Sequence, residues 1–174
     1  LANTNSPIAY AVYFNLGVMR DNANDDQGAE AAYRAALAQK PSFIEGGINL
    51  ANLLERTQRQ DEALSTWRTV LASINVKAPA DRGFHLQALN NLGRLLEIRD
   101  ELPEAVTMLT RSLKEDPEQT SVMTHWVHLR QKLCEWPVYG SVDGVAVSDM
   151  IAATSSLAML SVSDDPALQL QAAQ

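Results

Sequence analysis

The sequence predicts an all-α chain built as a stack of helical hairpins, on two observations. The first is a fixed period. Asn15-Leu16-Gly17 returns as Asn49-Leu50-Ala51 and again as Asn91-Leu92-Gly93. Gly17 and Ala51 lie 34 residues apart, Ala51 and Gly93 lie 42 apart, and Gly93 and Val127 again lie 34 apart. A step of this size marks one supersecondary unit repeated along the chain. The second observation is that the downstream residues keep the step. Ala29, Ala63 and Ala105 form one column, Tyr33, Trp67 and Leu109 the next, and Ala36, Val70 and Ser112 a third. Pro41, Asn75 and Pro117 close the units.

The columns have a packing reason. Gly17, Ala51 and Gly93 are small because two helices approach closely there. Ala29, Ala63 and Ala105 are the matching small residues on the second helix. Tyr33, Trp67 and Leu109 fill the space beside them. This pattern resembles the tetratricopeptide repeat, met three times, at about 7–41, 42–75 and 83–117, with a fourth inner helix at 119–135. The resemblance implies a superhelix of helical hairpins over 1–135 and a helical connector over 136–174. It says little about the partner, because such repeats bind many unrelated ones.

Each element has its local signal. Ser6-Pro7 reads as an N-cap followed by Pro at the first helical position, opening a helix to about Arg20. Asp25 or Asp26 caps a second helix over 27–39, and Pro41 ends the unit. The second repeat has helices near 42–57 and 61–74, with Asp61 as a cap. Asn75 to Arg82 carries eight extra residues, read as part loop and part extension of the next helix, with Pro79 in its first turn. The third repeat spans 82–98 and 102–115, and Pro137 stops the helix that follows. Beyond it, Val138 to Val147 reads as an irregular crossing. Ser148 caps a short helix to Ala153, and Ser155 or Ser156 caps another through Leu160. Asp164-Asp165-Pro166 starts a last helix, with acid at the positive end of the dipole. The chain stops inside that helix without a cap. More protein is therefore expected to follow, with Leu168 and Leu170 facing it or the connector.

Composition narrows the function classes. A hydrophobic fraction of 46% is ordinary for a globular chain. A net charge of −7 speaks against nucleic acid and anionic membrane as partners, since both select clustered Lys and Arg. No apolar run is long enough to span a bilayer. A single cysteine, Cys134, excludes an internal disulfide and fits a reducing, cytoplasmic setting.

The order Trp126, His128-Leu129-Arg130, Cys134-Glu135-Trp136, Tyr139, then Asp164-Asp165-Pro166-Ala167-Leu168-Gln169-Leu170, is similar to bacterial proteins of the O-linked N-acetylglucosamine transferase family. In that family tetratricopeptide repeats lead through such a connector into a two-lobed glycosyltransferase that uses a UDP-sugar. The resemblance implies a catalytic domain beyond this chain, with the UDP-sugar belonging to that domain and no cofactor here. Eukaryotic members carry a His-rich segment late in the connector. Ala153-Thr154-Ser155-Ser156-Leu157 has no histidine, so no catalytic residue is assigned in this chain.

Asn15, Asn49 and Asn91 share one repeat position, which on a first helix faces the concave side of the superhelix. An Asn amide offers a donor and an acceptor. A row of them can hold the backbone of an extended peptide without reading its side chains, and the transferase family is known for such an asparagine ladder. His125 takes the place in the fourth unit. The neighbouring column, Val18, Asn52, Arg94 and His128, adds Asn52 and Arg94 to the expected peptide-binding face. The next column, Asp21, Glu55, Glu97 and Gln131, reads either as an acidic rim of the groove or as solvated helix ends.

Other residues carry less. His125, His128 and Cys134 fall short of the four ligands of a structural zinc site, so no metal is expected. Cys134 has no positioned base and reads as a buried small hydrophobe. Trp126, Trp136 and Tyr139 are expected to pack the last repeat against the connector. There is no Gly-rich phosphate loop and no carboxylate pair in a catalytic context. The chain therefore reads as a protein- or peptide-recognition domain within a larger glycosyltransferase, without transferase activity of its own. The alternative is a freestanding adaptor serving an unrelated complex.

Overall fold

Helices dominate because most of the chain follows a 3.6-residue apolar stripe interrupted at regular intervals by turn residues. A computed structural model describes residues 8–155, 158–160 and 163–171. The helices are α1 (Ala9–Asn22), α2 (Asp26–Gln39), α3 (Ile44–Arg56), α4 (Gln60–Ser73), α5 (Arg82–Ile98), α6 (Leu102–Glu115), α7 (Thr120–Lys132), α8 (Val147–Ala152) and α9 (Pro166–Gln171). The chain is all-α, as expected. None of the described helices is long and apolar enough to cross a membrane. The residues form two compact units, Leu1–Ala88 and Leu89–Gln174, with the boundary inside α5.

The first unit holds α1 to α4 and the start of α5. The small and large packing columns are buried here. Ala29, Ala36, Ala51, Ala63 and Trp67 have no solvent exposure, and Tyr33 and Val70 are buried. Gly17 is small for a reason: a Cβ there would stand 2.5 Å from the Tyr33 ring. Phe14 and Phe43 meet edge to face at 5.0 Å, and Tyr10 joins Phe43 at 4.9 Å, filling the space between α1 and α3.

The second unit holds the rest of α5 and α6 to α9. Leu92, Leu96, Ala105, Leu109, Leu113, Trp126 and Leu129 form its core. Gly93 repeats the Gly17 arrangement, with the Leu109 side chain against its backbone. The Trp126 Nε1–H donates to Thr110 Oγ1 at 2.8 Å, which satisfies the polar edge of a buried ring.

One device closes every first helix. Asn24, Gln58, Asp100 and Cys134 all have left-handed backbone, with φ of 57°, 62°, 61° and 52°. In each case the next residue's N–H reaches back five residues: Asp25 to Arg20, Arg59 to Leu54, Glu101 to Leu96, Glu135 to Arg130. This is a helix C-cap of Schellman type. It recurs with the same 34- and 42-residue steps as the columns, so α7 ends as a repeat helix should.

That cap corrects two expectations. Helix α7 ends at Lys132, short of 135, because the chain turns at Cys134. Cys134 is exposed, not buried, because the capping position lies outside the packed face.

Other local readings shift too. Asp25 is the α2 cap, its carboxylate accepting from Gly28 N–H at 2.9 Å. Asp61 is not a cap: the N-cap position of α4 is Arg59, and Asp61 lies in the first turn, where its charge suits the dipole. Ser148 lies inside α8, whose N-cap is Ala146. Ser155 Oγ accepts from Ala158 N–H, and Asp165 accepts from Ala167 N–H at the start of α9, both as read from the sequence. Ser6, Pro7 and Ser156 lie outside the described residues.

The eight extra residues divide as expected. Ile74 to Ala78 form a loop held by Asn75, whose N–H donates to Asp81 at 3.2 Å and whose carbonyl accepts from Ala78 N–H at 2.8 Å. Pro79–Asp81 is a 3-10 turn that runs directly into α5. Helix α5 is 17 residues long against 13 in α3.

The connector is organised by Arg130. Its guanidinium donates to Val138 O and Pro137 O, both at 2.8 Å, pairs with Glu135 at 2.6 Å and stacks on Trp126 at 4.9 Å. The planar fork thus holds the turn after α7 through two carbonyls at once. Val138 takes the inward place in that turn, 1% exposed. Trp136 is turned out, 61% exposed, so of the expected aromatic pack only Trp126 is fully in the core. Tyr139 is half-buried, its hydroxyl donating to Thr154 Oγ1 at 3.1 Å. Thr124 Oγ1 donates to Ala153 O at 2.8 Å and ties α7 to the segment after α8. In α9 Leu168 is half-buried and Leu170 is 62% exposed.

Candidate functional site

The first helices α1, α3, α5 and α7 each carry one member of the asparagine column or its fourth-unit equivalent. In the first unit Asn15 is exposed on α1 and Asn49 is half-buried on α3. The Asn49 amide lies 3.5 Å from Tyr33 Oη, the long limit of a hydrogen bond. Asn52, one turn further along α3, is exposed. In the second unit Asn91 is half-buried on α5 and Arg94 is exposed. Neither Asn15, Asn49 nor Asn91 occupies a helix cap.

The next residue type tells a different story. Asn90, beside Asn91, is used internally: its Nδ2 donates to Gln119 Oε1 at 2.9 Å. Gln119 passes the connection on, donating to Ser112 Oγ and to Asp116 O, each at 3.0 Å. Asn90 is thus a structural residue that joins α5 to the turn before α7.

The acid column is bonded into the fold. Tyr33 Oη donates to Asp21 at 3.3 Å, and Arg56 closes on Asp21 and Asp26, each at 2.6 Å. Trp67 Nε1–H donates to Glu55 at 2.7 Å. Leu109, the third member of that large column, has no polar atom. Its counterpart acid, Glu97, instead meets His125 Nε2 at 2.5 Å and Lys132 Nζ at 3.0 Å, with His128 3.9 Å away. Gln131 donates to Ala158 O at 3.3 Å. Neither an acidic rim nor solvated helix ends describes this column. Its acids tie the first helix to the second, or to the next first helix.

The electrostatics follow from these contacts. Burial pushes the Tyr33 hydroxyl up to about 12, and the neighbouring Asp21 charge adds to it. Burial works to raise the Glu97 carboxyl, but the bonds from Lys132 and His125 prevail and hold it below its ordinary value. His125 therefore shares its ring nitrogen with Glu97 at the position that continues the asparagine column. His128 is exposed.

The column of bonded acids was legible in principle. Tyr33 and Trp67 both carry a polar tip, and each stands 12 residues after its acid. The role of Arg130 had no such signal, because both of its carbonyl partners are backbone. Among the described residues no group of three or more His, Cys, Asp or Glu side chains is placed to hold a metal ion. Within each unit the first helices carry neutral amides near acids that are bonded internally.

This fold is that of a tetratricopeptide-repeat protein. Its likeness to solved structures is one of fold alone, at 15–21% identity. A MamA protein matches with a TM-score of 0.66 over 90% of this chain and 74% of its own. The N-terminal domain of stress-induced protein-1 from C. elegans matches at 0.63 over 75% of this chain and 98% of that domain. The first tetratricopeptide domain of Spaghetti (RPAP3), described as bound to the HSP90 peptide SRMEEVD, matches at 0.62 over 77% of this chain, with 16% identity. Among curated proteins, cellulose synthase operon protein C of Pseudomonas fluorescens (strain SBW25) is 35% identical over 100 residues, 57% of this chain. The chain spans only 8% of that protein's length. No model of a known protein family matches the sequence.

Proposed function

We propose that the chain is a recognition domain whose first helices hold an extended peptide through Asn15, Asn49 and Asn91. The observation that carries this reading is a contrast between neighbouring columns. Each acid of the Asp21, Glu55 and Glu97 column is bonded to another part of the protein. The asparagines six residues earlier keep solvent-facing surface, and Asn49 makes only a long 3.5 Å hydrogen bond to Tyr33. A neutral amide at that position is a poor choice for helix stability alone. Asn52 and Arg94 extend the face, and His125 with Glu97 continues it. That a similar fold is described with a bound peptide supports the reading.

Hydrogen exchange with and without a bound peptide tests it. Candidate ligands are drawn from a random peptide library. The expected result is protection along α1, α3 and α5. Protection confined to α2, α4 and α6 contradicts it.

The setting we favour is a UDP-sugar-dependent protein glycosyltransferase of the O-linked N-acetylglucosamine transferase type, in the cytoplasm, with catalysis in a separate domain. Its support is that three of the residues carrying that resemblance meet: Arg130 stacks on Trp126 and pairs with Glu135. The alternative is a freestanding adaptor or scaffold for an unrelated complex; the relative that is 35% identical over 100 residues is named for a cellulose synthase operon, a different setting. Incubating the complete gene product with a radiolabelled UDP-sugar and cell extract separates them. Labelled protein supports the transferase; no transfer by a folded product leaves the adaptor.

A further inference from the structure

In the first unit one residue breaks the size pattern of its column. By the 34- and 42-residue steps, Tyr13, Gly47, Leu89 and Met123 share one position on the first helices. Three of them are large, and Leu89 and Met123 are buried in the second unit. Gly47 is also buried, but it has no side chain to contribute. On the second helices the sizes run the other way: Ala36 and Ser112 are small, and Val70 stands in their place on α4. The swap is physical, since a Cβ on Gly47 would stand 2.5 Å from Val70 Cγ2. It is also incomplete. Gly47 and Val70 together carry fewer side-chain atoms than Tyr13 with Ala36 or Leu89 with Ser112. A packing deficit of this kind leaves a void wherever the surroundings do not collapse into it.

The void is present. A recess of about 180 Å³ lies over Gly47 and Val70, walled by Leu37, Pro41, Phe43 and Ile44. Its remaining wall is a row of hydroxyls on α4, Thr66, Thr69 and Ser73, spaced to share one helix face. Each hydroxyl donates to the carbonyl four residues back: Thr66 to Glu62 O at 2.7 Å, Thr69 to Ser65 O at 3.0 Å and Ser73 to Thr69 O at 2.9 Å. Their protons are spent and their lone pairs remain, so the row offers acceptors. The lining residues are all uncharged.

We propose that this recess binds a small neutral aromatic molecule with one hydrogen-bond donor, of the phenol or indole class. Size sets the scale: an apolar protein cavity of about 150 Å³ admits benzene. The acceptor row sets the polarity, because a ring hydroxyl or ring N–H can donate to a threonine oxygen while the ring lies on Leu37, Ile44 and Val70. An ionised ligand does not fit, since the uncharged lining has nothing to offset its desolvation. The ligand is a free molecule rather than a partner's side chain. A peptide crossing the mouth would bring backbone carbonyls as well. Neither the spent hydroxyls nor Pro41, which has no N–H, can donate to them.

The test is a methyl NMR titration of the whole chain, with the signals of Leu37, Ile44 and Val70 as reporters. The probes are phenol, toluene, benzoate and N-acetyl-tyrosine amide. Phenol is expected to shift the three reporters saturably. Toluene, which lacks the donor, is expected to shift the same signals with a Kd roughly threefold or more higher. Benzoate is expected to shift none of them. N-acetyl-tyrosine amide is expected to bind more weakly than phenol; tighter binding assigns the recess to a partner's side chain and overturns the proposal. Gly47→Leu/Val70→Ser reproduces the Leu89 and Ser112 pair and is expected to abolish the phenol shifts. Thr66→Val/Thr69→Val/Ser73→Ala keeps the recess and removes its acceptors, so phenol is then expected to bind no better than toluene. That comparison stands even if the refilled variant does not fold, and a phenol preference that survives it overturns the proposal. So does a wild-type chain that phenol does not shift saturably or binds no more tightly than toluene, and so does phenol binding that persists in a folded refilled variant.

Discussion

Trp67 Nε1–H donates a 2.7 Å hydrogen bond to Glu55, twelve residues earlier, and Tyr33 Oη makes the equivalent bond to Asp21 at the same offset. In these two hairpins the large residue of the second helix therefore does two jobs. Its ring fills the space beside the small column, and its polar tip fixes the end of the first helix. Trp67→Ala is expected to cost about 3–5 kcal/mol, as for a large buried aromatic. Trp67→Phe keeps most of the ring and loses the bond, and is expected to cost about 1.5–3 kcal/mol. Urea unfolding of both variants checks this. An unchanged midpoint for Trp67→Ala contradicts the hairpin packing.

The close approach at Gly17 makes a second prediction. A helix glycine is normally improved by a better helix former, by about 1 kcal/mol. Here a Cβ would stand 2.5 Å from two atoms of the Tyr33 ring. Gly17→Leu is therefore expected to destabilise, by about 1–3 kcal/mol as overpacking does. Thermal unfolding gives the sign. A rise in Tm contradicts the contact.

The contacts behind these two predictions explain what could be read from the sequence. The small and large columns were legible because two helices can approach only where side chains are small, and that demand recurs at steps of 34 and 42 residues. The left-handed caps were less legible. Asn24 and Asp100 are residue types that tolerate the conformation, but Gln58 and Cys134 are not, so Cys134 read as core. The connector was least legible. Its turn depends on Arg130 bonding to two backbone carbonyls, and backbone acceptors leave no trace in residue identity. Trp136 read as core for the same reason: nothing in the sequence says that Val138 takes the inward place.

Arg130 supports a third prediction. Arg130→Lys keeps the charge and loses the fork that spans Pro137 O and Val138 O. The amides of Val138 and Tyr139 are expected to exchange faster, and the second unit to lose about 1.5–3 kcal/mol. Equal exchange rates in the two proteins contradict an organising role for the guanidinium.

Glu97 gives a pH dependence. Its folded-state carboxyl titrates below its ordinary value of 4.5 despite burial, because Lys132 and His125 bond to the anion. A depressed acid contributes stability that is present above the unfolded value and is lost as pH falls through the folded one. Glu97→Gln is therefore expected to be less stable than wild type near neutrality. The difference is expected to shrink as pH falls below 4.5. Chemical unfolding across that range checks it. A constant difference at all pH values contradicts the assignment.

The central claim is that the asparagine column binds peptide backbone. Asn15→Ala/Asn49→Ala/Asn91→Ala removes its amides while leaving the buried columns untouched. Each neutral hydrogen bond lost is expected to weaken binding by about 0.5–1.5 kcal/mol. The direct measurement is calorimetric titration of one library-selected peptide into wild type and the triple variant, with Tm recorded for both. The account predicts at least about a tenfold rise in Kd with an unchanged Tm. Equal affinity for a folded triple variant contradicts it.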